Sequence, residues 1–222
     1  MLGDAGYRLT VAARRPERLK AAVDELRAEG ARVEGVAADV ANEEEVGALI
    51  DRHREAHGRL DVLVNSAGTG AAQPVERIST RLLEKQLAVN LRGVVLCTRE
   101  ALPLLREAGA EHGKALIANV ASVTGKTGQP GLSVYAASKA AVTAFTRSTQ
   151  REVGASGIQC TALEPGFVDT QMTEFARGEV PAEEMIRPAD IAEAVGFLLR
   201  ISPNCHVPEI VFTRPSRWGG GA

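Results

Sequence analysis

Cysteine is scarce in this chain of 222 residues: Cys97, Cys160 and Cys205 are odd in number, far apart and free of any C-x-x-C spacing. That pattern excludes a disulfide framework and a thiolate zinc site, and points to reduced thiols. Histidine does not supply a metal site instead. His53 and His57 lie four apart, but Arg54-Glu55-Ala56 between them breaks the H-E-x-x-H pattern. They read as solvated helix histidines, His112 as a loop residue and His206 as a neighbour of the last strand, so no metal is expected. Excess charge is lacking as well: 26 basic against 28 acidic residues give a net charge of −2, which leaves no electrostatic footprint for nucleic acid or an anionic membrane face. No apolar run approaches the length a bilayer span needs, and no charged-then-apolar leader precedes the first strand. A cytoplasmic protein with a small-molecule partner is the expectation. Linkers, repeats and low-complexity segments are missing too. With 45% hydrophobic and 24% charged residues, the chain reads as one globular domain over 1–222.

What is present is a regular alternation of strand-like and helix-like segments. Residues 1–7 resemble the tail of a helix capped near Gly6, and 8–13 form a β-branched strand that ends in Arg14-Arg15. Residues 16–29 are a helix with Pro16 at its start, 33–38 a strand ending in Asp39-Val40, and Asn42 caps a helix opening on Glu43-Glu44-Glu45. Further strands follow at 61–65, 115–120 and 158–163, with helices at 80–108 and 133–155. A helix starts near Pro188, and 207–212 is a last edge strand, with Pro208 tolerable only there. Alternation of this kind predicts an α/β fold, a doubly wound parallel sheet of Rossmann type in three layers. In such a sheet the carboxyl ends of the strands line the ligand crevice. The polar and glycine-rich residues fall there: Arg14-Arg15, Asp39, Asn65-Ser66-Ala67-Gly68, Ser122 and Pro165-Gly166.

One stretch carries chemistry. Tyr135 and Lys139 are four apart at the start of an Ala-rich helix and share a face. A neighbouring ammonium favours the phenolate and brings a tyrosine toward useful acid/base range. Ser122, thirteen residues before Tyr135, ends a strand and can donate a hydrogen bond to an oxygen that gains negative charge. Y-x-x-x-K alone is common as packing plus a solvated lysine; with Ser122 it suits carbonyl/alcohol interconversion. Gly125-Lys126-Thr127 imitates the end of a phosphate loop, but Val120 stands where that loop needs glycine. It reads as a flexible loop over the substrate.

With Ser122, Tyr135 and Lys139 at this spacing, the chain resembles the short-chain dehydrogenase/reductase family. The resemblance implies an oxidoreductase that moves hydride between a nicotinamide cofactor and a carbonyl, possible substrates being a 3-oxoacyl thioester, a simple ketone or a sugar-like alcohol. It gives Tyr135 the role of general acid/base, Ser122 that of holding the oxygen, Lys139 that of depressing the tyrosine pKa and touching the nicotinamide ribose, and Asn90 that of anchoring a relay water. It implies cofactor contacts at Asn65, Ala67 and Gly68, at Asp39 and Val40 beside the adenine, and at Pro165, Gly166, Val168 and Thr170 near the nicotinamide. Residues 171–185 match the variable substrate cover, whose Met172, Phe175 and Met185 suggest an apolar lining or simple packing. Members are usually dimers or tetramers through the two long helices. Cofactor choice follows from charge: Ala12-Ala13-Arg14-Arg15 offers no carboxylate for a ribose hydroxyl and two cations for a 2′-phosphate. NADP(H) is thus preferred, with NAD(H) the alternative and Arg14 the stronger contact; Arg15 also reads as a solvated residue before a helix.

The chain departs from the family pattern at its start. The first strand and its glycine-rich phosphate turn are missing. That strand is central in the family's sheet, so its absence should part the flanking strands and expose apolar edges. One expectation is that Met1 is internal to a longer product. The rival functional reading is a non-catalytic or truncated chain that acts only as the interaction partner of a complete subunit.

Overall fold

In the computed structural model, which describes residues 1–178 and 180–215, residues 1–5 make one helical turn that Gly6 ends. Gly6 adopts φ +86°, its N–H reaches Gly3 O at 2.9 Å, and the Tyr7 N–H reaches Leu2 O at 3.1 Å. That pair of bonds is a Schellman close, which needs the left-handed backbone glycine allows. The chain then runs through β1 (Leu9–Ala13), α1 (Pro16–Ala28), β2 (Val33–Ala37), α2 (Glu43–His57) and β3 (Val62–Asn65). It continues with α3 (Thr80–Leu87), α4 (Gly93–His112), β4 (Ala115–Val120), α5 (Thr124–Thr127), α6 (Ser133–Val153), β5 (Ile158–Pro165), α7 (Pro188–Arg200) and β6 (Glu209–Phe212). Local chemistry sets the ends. Asn42 caps α2 by accepting from Glu44 and Glu45, and Gly58, left-handed at φ +72°, closes it.

Two sequence expectations need correction here. The helix expected over 80–108 is α3 and α4 joined by a π turn, Ala88–Arg92, and it extends to His112, which is therefore helical. Periodicity does not report a single wide turn, so the break was invisible. His53 is 7% exposed and not solvated: one ring nitrogen lies 2.8 Å from Thr10 Oγ1 and the other 2.9 Å from Arg59 O. Burial pushes its pKa down and keeps it neutral, so it ties α2 to β1 as a polar rivet. Among the described residues the three cysteines are free thiols, no helix is long and apolar enough to cross a membrane, and no cluster of metal-ligating side chains occurs.

Every strand pair is parallel, but the sheet is in two parts: β1 pairs with β2, while β3, β4, β5 and β6 follow one another in a separate ladder. The sheet therefore parts between β1 and β3. In the larger part, β4 and β5 are buried almost throughout. Ala101, Leu104 and Leu105 of α4 cover one face with Ile117 and Ile158, and Ala194, Val195 and Leu198 of α7 cover the other with Leu116 and Leu163. Burial of each such aliphatic side chain contributes roughly 1.5–3 kcal/mol. The smaller part folds over Leu19 and Val23 of α1. These layers bring the carboxyl ends of β3, β4 and β5 to one crevice.

Candidate active site

The strand ends of the larger sheet are fixed from below by a buried polar chain. Asn65, last in β3, stands in register with Asn119 of β4, and its Nδ2 donates to Asn119 Oδ1 at 2.8 Å and Thr98 Oγ1 at 3.3 Å. Asn119 Nδ2 donates in turn to Thr146 Oγ1 at 2.9 Å, and Thr146 Oγ1 to Val142 O at 2.7 Å. A line of satisfied amides and hydroxyls therefore crosses from α4 through β3 and β4 to α6. Unpaired groups there would cost about 1–3 kcal/mol each, so the chain locks the register of the strands that present the site. The sequence reading placed Asn65 but missed Asn119, Thr98 and Thr146; an amide inside the apolar run 115–120 was the available signal.

Above this line the reacting groups converge. Ser122 is buried just beyond β4, donating to Pro165 O at 3.3 Å and accepting from the Thr124 N–H at 3.2 Å. Tyr135 and Lys139 project from the first turns of α6; Lys139 Nζ donates to Val120 O at 2.7 Å and lies 5.9 Å from the centre of the Tyr135 ring. The loop after β3 passes directly over them. A Cβ at Gly68 would lie 3.6 Å from both Lys139 Nζ and Asn90 Oδ1, and one at Gly70 would lie 3.6 Å from the Tyr135 ring. Asn90 sits fully buried in the π turn: its Oδ1 accepts from the Thr69 N–H at 2.8 Å, and its Nδ2 donates to Thr69 O at 2.9 Å and Ser138 Oγ at 3.0 Å. Both amide hydrogens are spent. A water at Asn90 can use only its main-chain carbonyl or the remaining Oδ1 lone pair.

Burial sets the protonation states. It raises the Tyr135 pKa, against the opposing effect of the neighbouring Ser122 hydroxyl. It also lowers Lys139 to about 8. The expected depression of the tyrosine by Lys139 is not what this geometry gives: the ammonium donates to Val120 O, its Nζ lies 5.9 Å from the centre of the Tyr135 ring, and low polarity disfavours the charged forms of both groups.

A cavity of about 1030 Å³ opens beside these groups. Its wall includes Asn65, Ala67, Gly68, Ser122, Tyr135, Lys139, Pro165, Gly166, Val168, Thr170 and Val40. Those residues are brought together as expected. The segment after β5 is braced: Gly166 N–H reaches Phe212 O at 2.9 Å, Val168 bridges to Ile186, and the Thr170 N–H reaches Thr173 Oγ1 at 3.2 Å. Met172 borders the crevice, since its Cε lies 3.8 Å from the Cβ position at Gly68, whereas Met185 is buried in packing with Ala176 and Val180. The Phe175 side chain lies outside what is described. Arg14, Arg15 and Asp39 stand off the wall. Arg14 is exposed, with Nη1 3.7 Å from Asp39 Oδ2; Asp39 turns its other oxygen to the Ala41 N–H at 3.0 Å; and Arg15 is an exposed N-cap with no side-chain capping bond. Arg18, which the sequence reading passed over, spans to Gln171 Oε1 at 2.5 Å and joins the start of α1 to the cover segment.

The 125–127 segment also differs from expectation. It is the short helix α5, held by Lys126, whose Nζ lies 2.9 Å from Oε2 of the fully buried Glu164 and also pairs with Glu209. A residue so tethered is a strut and not a flexible loop.

A sequence profile described as short chain dehydrogenase matches residues 1–180. An uncharacterised oxidoreductase of Staphylococcus aureus (strain USA300) is 30% identical over 210 residues, covering 95% of this chain and 87% of the relative. The chain belongs to the short chain dehydrogenase family. A 3-oxoacyl-[acyl-carrier-protein] reductase of Staphylococcus aureus (strain Mu50) is 34% identical over 208 residues, covering 89% of this chain and 82% of the relative. Among solved structures, an alcohol dehydrogenase of Thermococcus sibiricus complexed with 5-hydroxy-NADP superposes with a TM-score of 0.88 at 28% identity, over 99% of this chain and 91% of the other. An actinorhodin polyketide ketoreductase with NADPH gives a TM-score of 0.85 at 31% identity, over 95% and 87%. This short chain dehydrogenase is thereby an oxidoreductase of Rossmann fold, in agreement with the family and fold class read from its residues.

Proposed function

We propose that the chain reduces a carbonyl to an alcohol with NADP(H), Tyr135 acting as the general acid. The observation that carries this is the convergence of buried Ser122, Tyr135 and Lys139 under the Gly68–Gly70 loop, at the carboxyl ends of the strands. A bound nicotinamide dinucleotide supplies the hydride. The crevice fits such a group: its lining is more apolar than polar, and the loop that crosses Lys139 approaches the amine closely enough that a Cβ at Gly68 would touch it, at 3.6 Å. Asn65, Ala67 and Gly68 would hold it on one side, and Pro165, Gly166, Val168 and Thr170 on the other. Asp39 and Val40 would meet the adenine end, and Arg14, with Arg15 beside it, a 2′-phosphate. NAD(H), without that phosphate, is the weaker alternative. The two solved relatives hold NADPH and an NADP derivative.

Reduction suits the protonation states. The neutral Tyr135 phenol can donate its proton to the carbonyl oxygen, and Ser122, on releasing Pro165 O, can donate a hydrogen bond to the same oxygen. As the phenolate forms, the protonated Lys139 amine supplies the counter-charge, and a proton returned from solvent through a water at Asn90 and Lys139 restores the phenol. The relative that reduces 3-oxoacyl groups makes a 3-oxoacyl thioester the first substrate to try, a simple ketone the second. A homodimer or homotetramer through α4 and α6 follows the resemblance, as does a cytoplasmic location. The divided sheet favours one rival, a chain that works only as partner to a complete subunit.

The test is NADPH consumption with a 3-oxoacyl thioester by the wild-type chain and by Tyr135→Phe. The expected loss is roughly 100-fold or more in turnover, with NADPH affinity little changed. Full turnover by Tyr135→Phe overturns the assignment, and an inert wild type that binds no NADPH supports the rival.

A further inference from the structure

Ser122 takes its two contacts from segments that flank one buried ion pair. Its hydroxyl donates to Pro165 O at 3.3 Å and accepts from the Thr124 N–H at 3.2 Å. Pro165 follows Glu164 at the end of β5, and Thr124 shares the short helix α5 with Lys126. Lys126 Nζ lies 2.9 Å from Glu164 Oε2. The Val123 N–H adds a bond of 3.2 Å to the same Pro165 carbonyl. α5 and β5 are therefore joined twice, once through the backbone beside Ser122 and once through the side chains of Lys126 and Glu164.

Each partner is fixed from another side as well. Glu164 is fully buried, and its Oε1 accepts at 2.8 Å from Oγ1 of Thr143, one turn beyond Lys139 on α6. Lys126 also pairs with Glu209 of β6, which in turn takes Arg147, one further turn along α6. Two carboxylates and two cations close a charge-balanced cluster that joins α5 to β5, β6 and α6. A Cβ at Gly125 would lie 2.7 Å from Ala140 N and 2.9 Å from the Lys139 carbonyl carbon, so α5 rests directly on the α6 backbone at Lys139. One short helix thus touches the supports of both Ser122 and Lys139. Among the described residues that wall the cavity, neither Lys126 nor Glu164 is found.

We propose that Lys126 and Glu164 are positioning residues for the carbonyl reduction assigned to Ser122 and Tyr135, a reading on which this inference rests. By pinning α5 to β5 they hold the Ser122 oxygen where its hydroxyl can turn from Pro165 O to the substrate oxygen. That hydrogen bond strengthens as the oxygen gains charge, so it is worth most in the transition state. A Ser122 displaced with α5 loses it there, and the loss falls on kcat and leaves NADPH affinity as it was. Burial of a carboxylate offsets much of what its ion pair gains, so the two partners together add little net stability and what they contribute is placement.

The test follows NADPH consumption with whichever of a 3-oxoacyl thioester and a simple ketone the wild-type chain reduces. Its central variant is Lys126→Met with Glu164→Gln, which removes the tether without leaving a buried charge. The expected result is a kcat lowered about tenfold, with NADPH affinity and the urea midpoint near those of the wild type. Lys126→Arg, which keeps the cation, should stay within about threefold of wild type. Ser122→Ala should lower kcat about 100-fold, and adding the central pair to it should cost less than about twofold more, because the group being positioned is gone. Amide exchange at Thr124 should quicken about tenfold in the central variant while Cys160 is unchanged. Wild-type kcat in the central variant, its full loss repeated on top of Ser122→Ala, or unchanged exchange at Thr124 overturns the proposal and leaves the reading of the site standing. Full turnover by Tyr135→Phe or Ser122→Ala, or a wild type that reduces neither substrate, overturns that reading and the proposal with it.

Discussion

Lys139 is the residue at which burial and chemistry meet. Its pKa is lowered to about 8 from 10.5 because the amine is desolvated. Below pH 8 the folded and unfolded states both hold the proton, and the buried charge is a cost on the order of 3 kcal/mol. Between pH 8 and 10.5 the unfolded chain holds more protons, so stability rises with pH through that window. Wild type should therefore gain about 2 kcal/mol relative to Lys139→Met between pH 7 and 9.5, read from urea unfolding of each protein at both values. An unchanged difference would show that the ammonium is solvated. Arg14 has the opposite character, being exposed and held only by a 3.7 Å pairing with Asp39. Arg14→Ala should leave stability within about 0.5 kcal/mol, weaken NADPH binding about tenfold, and leave NADH binding unchanged. Isothermal titration with both nucleotides decides between a phosphate contact and a bystander. Both positions were legible in the sequence, Lys139 by its spacing from Tyr135 and Arg14 by the absence of a carboxylate after the strand. Their protonation and pairing were not, because those depend on what other elements place around them.

Elements were legible where the signal is local. Strand 115–120, the Asn42 cap and the Pro16 start are written in adjacent residues, and the helical tail over residues 1–7 closes as its glycine foretold. Signals assembled at long range were not. Nothing near Lys126 in sequence announces Glu164 or Glu209, so α5 looked like a free loop. Its attachment has a measurable consequence, because the Ser122 hydroxyl accepts from the Thr124 N–H in the first turn of that strut. Glu164 also accepts from Thr143 Oγ1 at 2.8 Å, but Lys126 is its counter-charge. Lys126→Met leaves a fully buried carboxylate without a cation and should cost about 2–3 kcal/mol, the low side of the usual range because Lys126 is itself 37% exposed. Lys126→Met combined with Glu164→Gln should recover most of that loss. Chemical denaturation of the three proteins checks this, and a double variant no better than the single one would mean that α5 is held by its backbone alone.

Across the molecule, the parting of the sheet divides stability as well as geometry. β4 and β5 are buried on both faces and paired on both edges, whereas β1 and β2 pair only with one another and rest on α1. What joins the two parts is chiefly α2: His53 bridges Thr10 to Arg59 O, Arg52 and His57 lie 3.5 and 3.7 Å from Glu34, and Val46 packs with Val40 against Leu96 and Cys97. The surface ion pairs contribute little, so the joint depends on one buried imidazole and a small aliphatic cluster. A region with few buried contacts and one open edge unfolds on its own before the whole does. Native-state hydrogen exchange should accordingly show Val11 and Val36, whose amides lie in the β1–β2 ladder, opening at least tenfold more readily than Ile117 and Cys160. His53→Ala should widen the difference, because it removes the bridge without touching the larger sheet. Equal protection at all four amides in the wild type would mean that the chain folds as one cooperative unit despite its divided sheet, and that the aliphatic cluster under α2 is a stronger joint than its size implies.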